Sequence, residues 1–299
     1  MNDPMILVAT CDAFEHPTPS LDRLLQAINS QGVRAEHRAW RRTPVKDFAA
    51  ADLVLPLCFW DHHGALQYFL RWVDAVEAAG GRLINSPDIL RWNFRKTYLL
   101  DLLQAGLAVP PTVHIPDIDT SKVAQVMRTE QWPSVVIKPV SGQDGHDMVK
   151  LQLEDREQWP DLYVPQQEAL VQAFQPDITT FGETTLTFFE GEFSHAVQRH
   201  LRAGEWRANQ QFGVEVEAIT VSEATIEAAK RYLDLVPGRP VYARADGIVR
   251  PHGFMLMELE LIDPYLYLEI APAHAAEKLA KALTDRLNGP VATRKGQHA

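Results

Sequence analysis

Apolar positions in the first ninety residues follow two periods, one typical of strands and one of helices. Short apolar runs such as MILVAT and LVLPL favour buried strands, and leucines at helical spacing after Ser20 favour a helix with that serine as its N-cap. Strand and helix alternate, which predicts a small α/β unit with a mainly parallel sheet over residues 1–92. Sites in such sheets lie in the loops beyond the strand carboxyl ends. The predicted strands cover 5–10, 35–39, 52–57 and 82–85, the helices 21–32 and 64–79, and the loops 10–20 and 58–64.

From Asn93 onwards the pattern changes to longer strands with fewer helices. One continuous helix is predicted from Asn93 to Gly106, and a later strand, SVVIK, runs into the glycine-containing loop PVSGQDG. Further along, most of the chain has the character of strand. The pattern predicts two α+β units, over 93–175 and 176–290, and a short polar tail, 291–299, that we expect to be disordered.

The segment RADGIVRPHGFMLMELELIDP, which begins at Arg244, is predicted to gather three carboxylates on a strand hairpin. Glu258 and Glu260 are two residues apart, so they point to the same face of a strand. Antiparallel pairing across the RPHG turn brings Asp246 opposite them. Three acidic groups repel each other unless a cation lies among them, and such oxygen ligands suit Mg²⁺ or Mn²⁺. The alternative is the solvated polar face of an edge hairpin.

Two lysines are candidates for binding an anion. Lys138 ends the apolar strand SVVIK, and an unpaired ammonium is costly to bury there. Ser141, Gly142 and Gly145 follow it, and glycines let a backbone approach an anion closely, which favours a phosphate clamp. It is not a Walker A loop, because no Gly-Lys-Ser/Thr opens a helix after it. Lys96 stands at the start of the predicted helix, where a cation opposes the helix dipole unless an anion balances it. For Lys138 the alternative is a lysine that reaches solvent from an ordinary hairpin. For Lys96 the alternative is an exposed surface lysine.

Arginines cluster in one part of a chain that is otherwise acidic. The segment RHLRAGEWRANQQFG carries Arg199, Arg202 and Arg207, and Arg244 follows further along. Arginine is suited to bidentate recognition of carboxylate or phosphate groups. If GEWRAN is extended, alternation places Arg207 and Asn209 on one face. A solvated loop is the alternative, and the aromatic and apolar neighbours argue against it.

Two further segments carry weaker signals. Gln172 to Phe174 end an apolar strand, and a hinge there is a candidate for reading an adenine edge through backbone N–H and C=O groups. Core packing explains Phe174 equally well. His62 and His63 are candidate substrate-pocket residues, although adjacent histidines point in different directions and no spaced third ligand accompanies them.

Composition narrows the classes of function. The 299 residues are 46% hydrophobic and 23% charged, which is ordinary for a globular protein with a large core. The formal net charge of -10 argues against broad contact with nucleic acid. Cys11 and Cys58 are predicted to be buried free thiols. The sequence shows neither a signal peptide nor a membrane-length apolar run, so we expect a cytosolic protein without a membrane partner. A homodimer is the usual assembly for such a protein.

Taken in order, these motifs resemble the ATP-grasp superfamily over roughly residues 93–275. The order is Lys96, VIKPVSGQDG with Lys138, VQAF, GEWRAN, RAD and MELELIDP. Bacterial glutathione synthetases and ribosomal-protein glutamate ligases show Gly-Glu-x-Arg-x-Asn before the metal hairpin, as GEWRAN does here. That group also shows Glu-x-Asn followed four residues later by proline, whereas this chain has Glu258, Glu260 and Pro264. The second glutamate keeps an oxygen ligand and adds a negative charge.

The resemblance implies a fold, a reaction and a set of roles. The fold is an α/β N-terminal domain followed by an ATP-grasp fold of two α+β lobes, with ATP between the lobes. A small amino-acid-like carboxylate attacks the γ-phosphate of ATP, and a nucleophile then displaces phosphate from the acyl-phosphate. Two Mg²⁺ ions are expected, and Mn²⁺ is possible. The implied roles are ATP binding by Lys96, Lys138, Ser141, Gly142, Gly145, Gln172 and Phe174; metal binding by Asp246, Glu258 and Glu260; acyl-phosphate binding by Arg207, Asn209 and Arg244; and, more weakly, substrate contact by His62, His63 and Arg199.

The length, the opening MILVATCDAF and the Glu-x-Glu variant also resemble the cyclo-ligase group of D-cycloserine biosynthesis. In that group O-ureido-D-serine is activated at its carboxylate and closes on itself. One alternative is an amide ligase that joins two organic substrates. Another is a non-catalytic nucleotide-binding regulator, which would have lost metal ligands or phosphate-binding lysines. A third is a structural α/β protein in which the motifs are coincidental.

Overall fold

The N-terminal α/β unit is present as predicted, with a parallel sheet. The computed structural model describes residues 3–12, 16–61, 66–142, 145, 147–159 and 168–287. Its first elements are β1 (Met5–Thr10), α1 (Pro19–Ser30), β2 (Arg34–Ala39), α2 (Val45–Ala49), β3 (Leu53–Pro56) and α3 (Leu66–Ala78). The central strand β1 pairs in parallel with β2 on one side and with β3 on the other.

Two local predictions in this unit are wrong. The N-cap of α1 is Thr18 rather than Ser20, because the Thr18 hydroxyl accepts the Leu21 N–H and Pro19 occupies the first helical position. The strand expected at 82–85 is a single parallel bridge between Val54 and Leu83.

The predicted single helix after Asn93 is two short helices in the structure. These are α4 (Pro87–Asn93) and α5 (Tyr98–Gln104). The first begins earlier than predicted, because Ser86 caps it and Pro87 suits its first turn. In the turn between them the Lys96 N–H donates to the Val140 carbonyl at 2.7 Å. Lys96 therefore lies in a turn held against the next sheet and not in the first turn of a helix.

A four-stranded antiparallel sheet follows. Its elements are β4 (Thr112–Ile115), α6 (Thr120–Thr129), β5 (Ser134–Pro139), β6 (Val149–Gln152) and β7 (Ala169–Ala173), and the strand order is β4-β7-β5-β6. One face of the sheet packs on α6 through an apolar cluster that includes Val123, Met127, Val135 and Ile137. The other face is left to form one wall of a cleft.

A five-stranded antiparallel sheet forms the opposite wall. The elements are α7 (Ile178–Phe181), β8 (Glu183–Phe189), β9 (Glu192–His200), β10 (Glu215–Ile219), α8 (Glu223–Leu233), β11 (Tyr242–Arg250), β12 (Gly253–Glu260) and α9 (His274–Leu287). The strand order is β10-β9-β8-β11-β12. The strands β11 and β12 are the predicted acidic hairpin.

The edge strand β12 is held by side chains from the α4–α5 region. Asn93 donates to the Leu259 carbonyl at 2.7 Å and accepts the Leu261 N–H at 2.8 Å. The Tyr98 hydroxyl bonds both the N–H and the C=O of Leu259, and Asn85 donates to the Leu261 carbonyl. These bonds satisfy an otherwise unpaired strand edge and fix the hairpin in place.

The last helix completes the core of the first unit. Leu279 and Leu283 of α9 belong to the same buried cluster as Leu24 and Ile28 of α1. Tyr242, at the start of β11, also lies in that cluster. The N-terminal unit and the five-stranded sheet therefore share one apolar core. Within the described residues, no helix is both long and apolar enough to cross a membrane.

Both cysteines are buried and neither forms a disulfide, as predicted. Burial raises the pKa of the Cys58 thiol to about 12, so a thiolate is disfavoured at neutral pH.

Candidate active site

A cleft of about 830 Å³ lies between the four-stranded and five-stranded sheets. The sequence-predicted residues that line it are Lys96, Lys138, Gly142, Gly145, Gln172, Phe174, Arg199, Arg207, Asn209, Asp246, Glu258 and Glu260. Most of the predicted set therefore converges on one cavity, although its members come from residues that are far apart in sequence.

Two lysines contribute positive charge to the cleft. Lys138 is 6% exposed on β5, and burial lowers its pKa to about 8. In the described part of the chain no carboxylate forms an ion pair with it. The Lys96 ammonium is paired with the Glu258 carboxylate. A buried cation without an anionic partner is costly, so this end of the cleft favours an anionic ligand.

The acidic hairpin has the predicted register and one unpredicted irregularity. Asp246 pairs with Glu258 and Arg244 pairs with Glu260. The register shifts between Asp246 and Gly247, which leaves Met257 without a partner on β11. A bulge of this kind redirects side chains, and Met257 lines the cleft together with Glu258.

Asp246 is bound by two arginines and a threonine. Its Oδ1 accepts from the Thr185 hydroxyl at 2.8 Å and from Arg244 Nε at 3.0 Å. Its Oδ2 lies 2.7 Å from an Nη2 atom of both Arg244 and Arg199. Burial alone would raise the pKa of Asp246, but these partners outweigh it and hold the pKa at about 2. Asp246 is therefore ionised and anchors both arginines.

Two other carboxyl groups in the cleft are short of positive charge. Burial raises the pKa of Glu183 to about 7 even though Arg199 lies 2.6 Å away. Burial also raises the pKa of Glu260 well above its usual range, against the opposing effect of Arg244. The neighbouring carboxylates add to both shifts, and the arginines oppose them.

The carboxylates do not form a ready-made metal site in this arrangement. Among the described residues, no three His, Cys, Asp or Glu side chains converge on one point as cation ligands. Basic side chains lie between them instead: Lys96 against Glu258, and Arg244 between Asp246 and Glu260. The donors themselves are hard oxygens, and Glu258 and Glu260 keep side-chain exposures of 35% and 23% towards the cleft. This chemistry fits Mg²⁺, with Glu258 and Glu260 as the accessible ligands.

The arginine-rich segment continues beyond β9 as a loop. Residues 203 and 204 form a turn, and a short 3₁₀ helix follows at Gln210–Phe212. Glu205 accepts two hydrogen bonds from the Arg207 guanidinium, at 3.0 and 2.9 Å, and the guanidinium carbon lies 3.5 Å from the centre of the Phe212 ring. Arg207 and Asn209, which the alternation in GEWRAN placed on one face, both line the cleft.

Arg244 and Ser141 lie outside the cleft lining within the described chain. Arg244 is 5% exposed, and all three guanidinium nitrogens donate to protein acceptors: Asp246, Glu260 and the Tyr265 carbonyl. These bonds do not support the acyl-phosphate contact predicted for it. Ser141 is buried beside the glycine loop.

The segment Gln172–Phe174 lines the cleft, but its backbone donors are already used. The Ala173 N–H donates to the Pro111 carbonyl at 2.9 Å, and the Phe174 N–H donates to the Ser134 carbonyl at 3.0 Å. The prediction that these N–H groups read an adenine edge is therefore wrong. The Phe174 ring makes a cation–π contact with Lys150, whose ammonium lies 3.6 Å from the ring centre. An aromatic wall of this kind suits a flat ring system.

The predicted substrate residues His62 and His63 lie outside the described residues. The neighbouring Asp61 accepts a hydrogen bond from Trp40 Nε1 at 2.7 Å.

Other residues of the cleft were not predicted. Glu183 and Met257 line the cleft without having been singled out. The signal for Glu183 was available, because it follows Gly182 and opens an alternating strand. The signal for Met257 was not, because a bulge cannot be inferred from the spacing alone.

Two family models match separate parts of the chain. Residues 6–85 match the N-terminal domain of D-cycloserine synthetase DcsG. Residues 106–238 match the ATP-grasp domain of prokaryotic glutathione synthetase. The two matches correspond to the parallel-sheet unit and to the part of the chain that forms most of the cleft.

Similar proteins cover nearly the whole chain. The cycloserine biosynthesis protein DcsG of Streptomyces lavendulae is 27% identical over 94% of this chain and 99% of its own length. The crystal structure of D-cycloserine synthetase DcsG superposes with a TM-score of 0.81 at 25% identity, covering 95% of this chain and 99% of that one. The ATP-grasp ligase PsnB, solved with a minimal precursor, Mg and ADP, shares the fold with a TM-score of 0.62 at 17% identity, over 96% of this chain and 99% of PsnB.

These similarities agree with the geometry of the cleft. An α/β N-terminal domain is followed by two α+β lobes, and lysines, arginines and carboxylates line the space between them. The chain belongs to the ATP-grasp superfamily and is a ligase of that superfamily, forming a C–N bond at the expense of ATP.

Proposed function

We propose that this protein is a cyclo-ligase that activates the carboxylate of O-ureido-D-serine with ATP and closes the ring of D-cycloserine. The observation that carries the proposal is the similarity to DcsG, which extends through the N-terminal unit and the cleft-forming lobes at almost full length in both chains. A protein that shared only the nucleotide-binding lobes would give no reason to prefer this substrate over others.

The cleft residues supply what phosphoryl transfer requires, which is positioning and stabilisation of charge. Lys96 and Lys138 bind the ATP phosphates, with Gly142 and Gly145 allowing close backbone approach. Gln172 and Phe174 face the base, and Ser141 supports the glycine loop. When bound, Mg²⁺ neutralises phosphate charge, and Glu258 and Glu260 are the residues that would hold it, with Asp246 behind them. The resemblance implies two ions.

The reaction proceeds in two displacements. A substrate carboxylate oxygen attacks the γ-phosphorus, the bond to the β-phosphate oxygen breaks, and ADP leaves. The oxygen-bound ureido nitrogen of the same substrate then attacks the acyl carbon and loses a proton, and inorganic phosphate leaves. One water hydrolyses the carbamoyl group that remains on this nitrogen, which gives D-cycloserine, carbon dioxide and ammonia. Arg207 and Asn209 are the groups assigned to the acyl-phosphate, and Arg199, which lines the cleft, stays a candidate for substrate contact. Guanidinium groups suit its charge and geometry.

The substrate is assigned to the end of the cleft nearest the N-terminal domain. His62 and His63, which follow β3 in the sequence, remain candidates for contact with the substrate. We divide the chain into an N-terminal domain (1–92), a lid lobe (93–175) and a C-terminal lobe (176–290), a division supported by one sheet in each. The packing of α9 on α1 supports a fixed relation between the first and the last of these.

The test follows an oxygen atom. O-ureido-D-serine labelled with heavy oxygen in its carboxylate is incubated with Mg-ATP and the enzyme, and products are analysed by mass spectrometry. The proposal predicts D-cycloserine, ADP and inorganic phosphate carrying one labelled oxygen, because the carboxylate oxygen leaves with phosphate. Unlabelled phosphate or absence of a cyclised product would contradict it.

The match of residues 106–238 to the glutathione synthetase ATP-grasp domain favours one second candidate. This is an amide ligase that activates a small amino acid in the same way but joins it to the amine of a separate molecule. It needs two organic substrates for turnover, whereas the cyclo-ligase needs one.

A further inference from the structure

We propose that Arg244 is a positioning residue that holds Glu260 as a cation ligand, so that its loss weakens divalent-cation binding and does not act directly on acyl transfer. The inference rests on the proposed function, because it takes the hairpin carboxylates as the ligands of Mg²⁺. It differs from the role predicted for Arg244 from the sequence, which was contact with the acyl-phosphate.

The hydrogen bonds of Arg244 leave little of its guanidinium for a ligand. Nε donates to Asp246 Oδ1 at 3.0 Å, and Nη2 donates to Asp246 Oδ2 at 2.7 Å and to Glu260 Oε1. Nη1 donates to the Tyr265 carbonyl at 3.1 Å. The residue is 5% exposed. A phosphate could reach this group only by displacing protein acceptors.

Strand register explains why Arg244 reaches these carboxylates. Arg244 and Asp246 are two apart on β11, so they share a face. Glu260 lies directly opposite Arg244 in the antiparallel pair. The guanidinium therefore bridges one carboxylate of its own strand and one of the neighbouring strand. That arrangement is built into the pairing and does not depend on a flexible side chain finding a partner.

Charge explains why Glu260 requires this partner. Glu260 stands beside Asp246 and Glu258 in a largely buried site, and like charges placed so closely repel each other. Removing one partner of a buried ion pair leaves the other charge uncompensated. Without Arg244, the Glu260 side chain would lose the contact that orients it.

The other side of Arg244 faces the segment after β12. The Tyr267 ring lies 5.8 Å from the guanidinium carbon. The same segment is fixed by His195 Nε2–H, which donates to the Leu266 carbonyl at 2.8 Å, and by the Ser20 hydroxyl, which accepts the Leu268 N–H at 3.1 Å. Arg244 is therefore held from both sides, as a positioning group should be.

Arg207 offers a matched contrast. It lines the cleft, its side chain is 27% exposed, and its carboxylate partner is Glu205, outside the hairpin. A variant of Arg207 should affect turnover without affecting how the hairpin holds a cation.

The experiment measures Mn²⁺ binding by electron paramagnetic resonance, in the presence of a non-hydrolysable ATP analogue, for wild type, Arg244→Met, Glu260→Gln, the double variant and Arg207→Lys. Turnover is measured in parallel with Mg-ATP. We expect Arg244→Met to raise the Mn²⁺ Kd by about 10-fold or more, within the range seen when a group orienting a ligand is removed. The Mn²⁺ Kd of the double variant should equal that of the weaker-binding single variant, because Arg244 acts through Glu260. Arg207→Lys should lower kcat with an unchanged Mn²⁺ Kd.

Two results would overturn the inference: an unchanged Mn²⁺ Kd in Arg244→Met with kcat lost, or fully multiplicative effects in the double variant. If Arg244→Met does not fold, Arg244→Lys decides. Lysine keeps the charge but loses the bidentate geometry of the guanidinium, so the Mn²⁺ Kd should rise by about threefold or more. An unchanged Kd refutes the inference. Failure of wild type to bind Mn²⁺ with the ATP analogue would instead count against the proposed function, which keeps the two failures distinguishable.

Discussion

At the scale of single residues, Lys138 shows how burial turns a side chain into a ligand-dependent group. It lies in the apolar strand β5 and is 6% exposed, and burial lowers its pKa to about 8. A lowered lysine pKa means that the charged form is disfavoured in the free protein. An ATP phosphate placed beside it would favour the charged form. Binding and protonation of Lys138 are therefore linked.

This linkage predicts a pH dependence of ATP affinity. Below about pH 8 Lys138 is protonated before ATP arrives, and above it the free protein has lost the proton that binding requires. The Kd for Mg-ATP should therefore rise as the pH is raised from 7 to 9. In Lys138→Met the Kd should be about 10-fold higher at pH 7, and it should change little over the same interval. Isothermal titration calorimetry measures both. A wild-type Kd that does not change with pH, or one that falls, would contradict the assignment.

The sequence predicted chemistry better than it predicted contacts at this scale. Lys138, Asp246 and Glu258 stand out because charged residues in apolar strands need partners, and all three line the cleft. The use of the Ala173 and Phe174 N–H groups could not be foreseen, because their acceptors come from other parts of the chain. The hydrogen bonds that occupy the Arg244 guanidinium could not be foreseen either, because they depend on which residue of β12 lies opposite Arg244.

At the scale of elements, the position of the acidic hairpin depends on side chains that cover the edge of β12. The amide of Asn93 replaces a neighbouring strand by bonding the Leu259 carbonyl and the Leu261 N–H. Asn93 is 8% exposed, so water does not readily replace it. Two backbone groups at the end of β12 therefore depend on one side chain.

Substitution of Asn93 by alanine should destabilise the protein. Two buried backbone groups lose their partner, and each unsatisfied group costs about 1–3 kcal/mol. We expect Asn93→Ala to lower the free energy of unfolding by about 2 kcal/mol or more, measured by chemical denaturation. Gln26→Ala is the control, because Gln26 makes only an exposed side-chain bond to Asp22, and its effect should be within about 0.5 kcal/mol. Equal effects of the two substitutions would contradict the role given to Asn93.

Gly145 places the glycine loop directly against the arginine-rich segment. Its φ is +66°, and a Cβ at this position would lie 2.8 Å from Asn209 Oδ1. Gly145→Ala should therefore displace Asn209 and lower kcat/KM by about 10-fold to 100-fold, since small displacements in a site are costly.

The control for Gly145 is Gly80→Ala. Gly80 also has a positive φ, +86°, but a Cβ there has no atom within 4 Å. Both substitutions carry the strain of a left-handed backbone, and only the first meets a cleft residue. Steady-state kinetics with Mg-ATP separates them. An unchanged kcat/KM in Gly145→Ala, or an equal fall in both variants, would show that the contact with Asn209 has no role.

Secondary structure was predictable wherever its signals were local. The helix His274–Leu287 and the hairpin of β11 and β12 follow from periodicity and turn residues. The break between α4 and α5 was missed because it is stabilised by a distant partner, the Val140 carbonyl that accepts from Lys96 N–H. A continuous helical pattern in sequence gives no sign of such a bond.

At the scale of the whole molecule, the N-terminal unit and the C-terminal lobe are joined by one core. Apolar residues of α9 pack with α1, and Tyr242 joins the same cluster from the start of β11. The parallel-sheet unit and the acidic hairpin therefore have a fixed relation, while the four-stranded sheet forms the other side of the cleft. This arrangement suits a substrate held at the N-terminal side and a nucleotide held between the lobes.

The central claim is that one organic substrate is enough for turnover, and ADP release tests it most directly. Mg-ATP and the enzyme are incubated with small amino-acid carboxylates, including O-ureido-D-serine, first singly and then in pairs with amines. The account predicts rapid ADP release with O-ureido-D-serine alone and no further increase when an amine is added. ADP release only with paired substrates would contradict ring closure and establish an intermolecular amide ligase.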